Sequence, residues 1–252
     1  MKAPKIMRED WDERARSDAF HYIASWRNDW DRDSFFASGE QDYLRLAAPF
    51  LTKSNFDPTG KTALELGCGV GRMTRALAQS FARVVAIDIS ADMLAQAKSY
   101  LPDMTNITWL QGNGANLDGV DSSSIDFAFS YIVLQHMPEP ALAFNYVREM
   151  LRVTKPGGLF LFQFNGENTS TMNWKGRAAW ALVDLPWRLG LRKASARIAS
   201  ALGFDPALAG KSWRGAAIKA SKMAEVVSAA GGRVTDPIGE GTPMAWLGGV
   251  KS

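Results

Sequence analysis

Residues 62–75 read TALELGCGVGRMTR, and this stretch decides the fold. Thr62 to Leu66 has the composition of a short strand and carries one acid, Glu65. Gly67, Gly69 and Gly71 follow at alternate positions, with Cys68 inside the run. Met73 to Ala82 is rich in good helix formers. Strand, glycine loop and helix in that order open a nucleotide-binding α/β unit. Glycine permits the sharp turn and lets backbone N–H groups approach a ligand closely. A dinucleotide fingerprint, G-x-G-x-x-G, begun at Gly67 needs glycine at 72, and one begun at Gly69 needs it at 74. Arg72 and Thr74 stand there instead.

Downstream the pattern alternates. Strands are expected at 62–66, 83–88, 107–111, 125–131 and 158–164, with helices at 72–81, 91–100 and 139–153. Strands apolar almost throughout suit a parallel sheet covered on both faces. Right-handed crossovers then bring every strand's C-terminal end to one rim. Upstream, residues 7–30 read as a helix and then a looser aromatic segment, with Trp11, Ala15, Ala19, Tyr22 and Trp26 at helical spacing. Residues 40–53 read as a second helix with Tyr43, Leu44, Ala47, Phe50 and Leu51 on one face. Residues 165–216 break the alternation. They hold Trp174, Trp180, Trp187 and Trp213, and eight cations against three acids. A helix at 217–230 and strands at 232–238 and 244–250 close the chain. The expectation is one domain over 1–252, α/β in class. It has a three-layer, Rossmann-like sheet of seven strands, mostly parallel with an antiparallel last strand, and helices on both faces. Residues 1–39 would form an N-terminal lid and 165–216 a helical or irregular insertion after the fifth strand.

The totals exclude several classes. The 252 residues suffice for one sizeable core. Apolar content of 46% and charged content of 22% are those of a globular protein. A net charge of +3 is too small to argue for nucleic acid by itself. One cysteine leaves no internal disulfide and no Cys-rich metal site, so no metal is expected. The charged first residues show no secretory signal, and no apolar run reaches a membrane span, so a cytoplasmic location is expected.

The run E-L-G-C-G-V-G at 65–71 resembles motif I of class I S-adenosylmethionine (SAM) methyltransferases, in the small-molecule, type 11-like group. The likeness covers roughly residues 40–164 and 217–250. It implies SAM as cofactor, with S-adenosylhomocysteine (SAH) as product. Glu65 would sit near the methionine amino group, and Gly67, Cys68, Gly69 and Gly71 would line the methionine and ribose part. Asp88, at the end of VVAID, would accept both ribose hydroxyls. Ile89 and Met93 would flank the adenine, with Gly112, Asn113 and Gly114 beside it. The family usually has aspartate where Asn113 stands; asparagine still accepts through its side-chain oxygen but carries no charge. Tyr131 would line the pocket from the end of the fourth strand.

The acceptor is expected to be an O, N or S atom of a small metabolite, aromatic ones included. SAM carries a good leaving group, so aligning nucleophile, methyl and sulfur is the protein's main task. His136, past the fourth strand, is the candidate base, with a structural or cofactor-contact role as the alternative. Tyr22, Trp26, Arg27, Trp174 and Trp180 are candidate substrate contacts. Cys68 is too committed to the glycine loop for cytosine C5 chemistry. Ser130-Tyr131-Ile132-Val133 stands where amino-methylating nucleic-acid enzymes carry an Asn/Asp-Pro-Pro-aromatic loop. Residues 176–203 are basic, Trp- and Leu-containing and helix-prone, which leaves a membrane-surface contact open. Two alternatives stand beside the main reading. One is a nicotinamide-dependent oxidoreductase on a Rossmann sheet, disfavoured by Arg72 and Thr74. The other is a non-enzymatic SAM-binding or partner-docking module.

Overall fold

The fold is taken from a computed structural model, which describes residues 2–166, 174–189, 191–203 and 215–252. Seven strands form one sheet: β1 (Thr62–Leu66), β2 (Arg83–Asp88), β3 (Ile107–Gln111), β4 (Ile125–Ser130), β5 (Thr154–Phe164), β6 (Gly232–Ile238) and β7 (Ala245–Lys251). Their order is β3-β2-β1-β4-β5-β7-β6. β7 lies between β5 and β6 and runs antiparallel to both; the β1, β2, β3, β4 and β5 pairings are parallel. The chain reverses direction across the sheet between β1 and β4, which pair side by side. That is the switch point at which open α/β sheets bind ligands.

Two apolar layers sandwich the sheet. Alternation along β5 sends Phe160, Phe162 and Phe164 to one face and Leu159 and Leu161 to the other. The first face packs on α6 (Pro140–Val153) through Ala143, Tyr146, Val147 and Met150. α9 (Ala220–Ala229) joins it through Met223, Val226 and Val227. The second packs on α3 (Ala48–Lys53) and α4 (Arg72–Ser80), with Phe50, Met73 and Leu77 against Phe127 and Phe129. α5 (Ala91–Tyr100) crosses from β2 to β3, capped at Ser90, whose side chain accepts the Met93 N–H.

The helical run before β1 starts earlier than the spacing suggests. α2 (Arg32–Asp42) begins at an Asp31 cap, passes through a π turn at Tyr43–Ala47 and continues as α3. Gly39 interrupts the apolar pattern because α2 crosses α4 there; a Cβ would stand 2.1 Å from the Arg72 carbonyl oxygen. The wide turn also corrects the expected face. Tyr43, Ala47, Phe50 and Leu51 are buried, but Leu44 is 66% exposed, because the extra residue of a π turn resets the helical phase.

α1 (Lys2–Ile23) breaks at Asp18, whose backbone is extended (φ −162°, ψ 87°). Ala15 and Ala19 pack with Phe35, Phe36 and Met93. Polar contacts pin α1 across the ends of β2 and β3. The Gln96 side chain donates to the Ala15 carbonyl at 2.8 Å, Ser90 Oγ donates to Asp12 at 2.6 Å, and Arg16 pairs with Asp92.

Among the described residues, the segment after β5 holds two helices, α7 (Trp174–Arg188) and α8 (Arg192–Ala201). They meet through Val183, Ala199 and a bond from Ser195 Oγ to the Val183 carbonyl at 2.8 Å. Leu182, Leu185, Leu189 and Leu191 are exposed. The side chain of Trp174 and the whole of Trp213 lie outside the described residues. Among the described residues no helix is long and apolar enough to cross a membrane.

Candidate active site

The glycine loop leaves β1 and the segment 131–137 leaves β4, so neighbouring strands deliver both to one edge. α1 closes over them. The resulting cleft encloses about 930 Å³ of empty space counting its open mouth. Its walls include Glu65, Gly67, Cys68, Gly69, Asp88, Ile89, Met93, Gly112, Tyr131 and His136. Met7, Trp11, Tyr22 and Ile23 of α1 complete it.

The loop is held by β2. The N–H groups of Gly67 and Cys68 donate to the Ile87 carbonyl at 2.7 and 3.0 Å. Gly69 is left-handed (φ 54°), and a Cβ there would stand 2.6 Å from Ile23 Cδ1. Glycine at 69 therefore lets the lid helix close on the loop. Asp88 Oδ2 accepts the Gly69 N–H at 2.8 Å and Oδ1 accepts the Ser90 N–H at 2.9 Å. Burial pushes the Asp88 carboxyl up to about 6, against the pull of these two N–H donors. Glu65 is buried and accepts Thr74 Oγ1–H at 2.6 Å. Burial lifts its carboxyl to about 8, with the Thr74 bond and the Arg72 charge acting against the rise. Thr74, which broke the dinucleotide spacing, is thus the partner of the motif's acid. Burial holds the Cys68 thiol well above its ordinary range.

Across the cleft, His136 ends a single 3₁₀ turn (Leu134–His136), and its ring meets Trp11 edge-on at 5.4 Å. Its Nε2 lies 3.3 Å from Gln135 Nε2. Ile132 has φ 56°, a costly conformation for a β-branched residue. Gln163 holds it. Its Oε1 accepts the Ile132 N–H at 3.2 Å, and its Nε2 donates to Gln135 Oε1 at 2.8 Å and to the Pro243 carbonyl at 2.8 Å. The insertion also returns here: Ala216 N–H donates to the Met137 carbonyl at 2.9 Å and Ile218 N–H to the Asn165 carbonyl at 2.8 Å.

Several sequence candidates fall elsewhere. Gly71, Asn113 and Gly114 are not among the residues lining the cleft. The side-chain oxygen of Asn113 accepts the N–H groups of Ala115 and Asn116, and its amide donates to Asp118 at 2.8 Å. Both ends of Asn113 are therefore engaged within its own loop. Trp26 is 57% exposed and covers Arg72, with the guanidinium carbon 5.2 Å from its ring. Arg27 pairs with Asp29 at 2.7 Å away from the cleft, and Trp180 of α7 does not line it. Trp11, Arg72, Ile132 and Tyr146 line the cleft without having been singled out as site residues. Arg72 did carry a signal: a cation in the first turn of a helix faces the positive end of the dipole and needs a reason.

The comparisons agree with this geometry. Residues 64–162 match the family model described as a methyltransferase domain. A trans-aconitate 2-methyltransferase of Azoarcus sp. (strain BH72) is 32% identical over 137 residues, 53% of this chain and 50% of that one. A ubiquinone biosynthesis O-methyltransferase of Methylococcus capsulatus is 28% identical over 137 residues, 53% and 54% of the two chains. The chain spans about half the length of these curated relatives. The crystal structure of magnesium protoporphyrin IX methyltransferase from Synechocystis PCC 6803, with bound SAH, superposes with a TM-score of 0.64. It is 15% identical, over 98% of this chain and 99% of that one, which shows a common fold. The family match at 64–162 takes in the glycine loop, Asp88 and His136, the residues that meet at this cleft. The nicotinamide alternative has no support among these matches.

Proposed function

We propose that the chain transfers a methyl group from SAM to an O, N or S atom of a small metabolite. The observation that carries this is the convergence of Glu65, the glycine loop, Asp88 and His136 on one lidded cleft at the β1/β4 switch point. The residues fit SAM. Asp88 presents a partly buried carboxylate for the two ribose hydroxyls. Ile89, Met93 and Gly112 offer an apolar slot for adenine, and Glu65 stands at the glycine loop for the ammonium. Bound there, SAM would supply an electrophilic methyl group. The chain's own work is then alignment, which is worth on the order of 7–11 kcal/mol when two reactants are held in line.

Trp11, Tyr22 and His136 form the wall left for an acceptor, a mostly aromatic surface suited to a flat or apolar molecule. His136, on the same wall, would take the acceptor's proton. In this reading 1–39 is the lid and 165–216 the acceptor-side cap of a single cytoplasmic unit, because the insertion is anchored beside Met137. Nucleic acid is not the expected partner.

Calorimetry and tritiated-methyl transfer test the proposal. SAM should bind and NAD should not; the opposite result overturns it. Incubation with labelled SAM and a metabolite extract should label a small molecule. SAM binding with no transfer to any extract would favour a non-enzymatic SAM-binding module.

A further inference from the structure

Among the residues lining the cleft, Arg72 is the one lysine or arginine. It is 3% exposed. Its hydrogen bonds run through Nη1 alone, to Asp42 Oδ2 at 2.8 Å and to Ser38 Oγ at 3.2 Å. Nε and Nη2 meet no acceptor among the described residues. Neither is sealed from solvent without a partner, and Arg72 lines the cleft. The rings of Trp26 and Tyr131, 5.2 and 5.8 Å from the guanidinium carbon, hold the group in place. Arg45 Nη2 also bonds Asp42, at 2.6 Å, so one carboxylate serves two guanidinium groups and the cluster keeps a positive charge. The N-terminal end of α4 adds to it.

We propose that the Nε–Nη2 edge of Arg72 is a carboxylate subsite. Two parallel N–H donors on a fixed plane match a carboxylate bidentately. Two sources have this chemistry: the α-carboxylate of the cofactor's methionine end, and a carboxylate on the acceptor. The nearness of Glu65, whose carboxyl feels the Arg72 charge, suits a zwitterion, with ammonium on one side and carboxylate on the other. The inference rests on the cleft being the SAM site.

Calorimetry on the full chain separates the sources. SAH and 5′-methylthioadenosine, which lacks the amino-acid end, are titrated into wild type, Arg72→Met and Arg72→Lys; the lysine keeps the pairing with Asp42 but loses the fork. If the cofactor is the source, Arg72→Met weakens SAH about ten- to hundredfold and leaves methylthioadenosine within about twofold. If the acceptor is the source, SAH is unchanged, but citrate, used as a polycarboxylate probe, binds SAH-loaded wild type and not the variant. The proposal is overturned if SAH is unchanged and citrate fails to discriminate, or if SAH and methylthioadenosine weaken equally. Should Arg72→Met not fold, wild type decides. The α-carboxamide of SAH should bind at least about tenfold more weakly than SAH, or citrate should bind the SAH-loaded protein; equal affinities without citrate binding overturn the subsite. Failure of wild type to bind either nucleoside would instead remove the SAM-site reading itself.

Discussion

Asp88 Oδ2 accepts the backbone N–H of Gly69 at 2.8 Å, which ties the end of β2 to the middle of the glycine loop. The same carboxylate therefore shapes the loop and faces the cleft. Asp88→Asn keeps the size but loses the charge and one acceptor. SAH affinity should fall at least about tenfold by calorimetry, since hydrogen bonds to charged groups are worth about 1.5–3 kcal/mol. Because the Asp88 carboxyl is raised to about 6, wild-type affinity should also decline as pH drops below 6. Unchanged binding in the variant removes Asp88 from the ribose contact.

Glu65 gives a stability prediction with a defined sign. Its carboxyl sits at about 8 in the folded chain, against an ordinary value of 4.5. Between these values the folded state holds a proton that the unfolded state has released. Stability is therefore lost progressively as pH rises from about 4.5 to 8, and the loss is complete above 8. Glu65→Gln, neutral and similar in shape, escapes it. The melting-temperature advantage of Glu65→Gln over wild type should grow by several degrees between pH 5 and 8 and then level off. An advantage independent of pH contradicts this account.

The same residue would couple SAM binding to protons. A ligand ammonium beside Glu65 favours its ionised form. At pH 7, SAH binding to wild type should release up to about one proton. Titrations in buffers of different ionisation enthalpy measure it, and Glu65→Gln should release correspondingly less.

Gln163 spans the β4 loop: its oxygen accepts from Ile132, and its amide donates to Gln135 and Pro243. Gln163→Leu strips the partner from the part-buried N–H of Ile132, a left-handed residue, and from Gln135 and Pro243. Each orphaned group costs about 1–3 kcal/mol, so unfolding free energy should drop by at least about 2 kcal/mol in a denaturant titration. Transfer activity should fall further than SAH affinity, because the loop would carry the acceptor-side wall in the proposed reading. A loss below 0.5 kcal/mol would show that the loop is held elsewhere.

His136→Ala tests the base. SAH affinity should stay within about threefold, while transfer to a protonated acceptor should drop at least about a hundredfold. Less than a tenfold drop makes His136 a wall residue.

Much of the framework was legible in consecutive residues. The bounds of β1, β2, β3 and α5 follow the sequence reading to the residue, because alternation and the Ser90 cap are local. The glycine spacing and Asp88 were legible for the same reason: each sits where a strand ends. The helix from 32 was not, since Gly39 answers a neighbour 33 positions away in the chain, Arg72. Nor could Leu44 be placed, because a π turn leaves no periodic trace.

The sequence by itself determined an α/β chain with a glycine loop of the SAM-binding kind, since those features are written in spacings of two, three and four residues. Only the tertiary structure decided what the rest of the cleft is made of. Trp11 meets His136, Arg72 is gripped by Asp42 and Trp26, and Gln163 steadies Ile132. Those pairs are brought together by the order in which the strands assemble and by the docking of α1. Contacts of that kind depend on how the chain closes in space, and no local pattern encodes them.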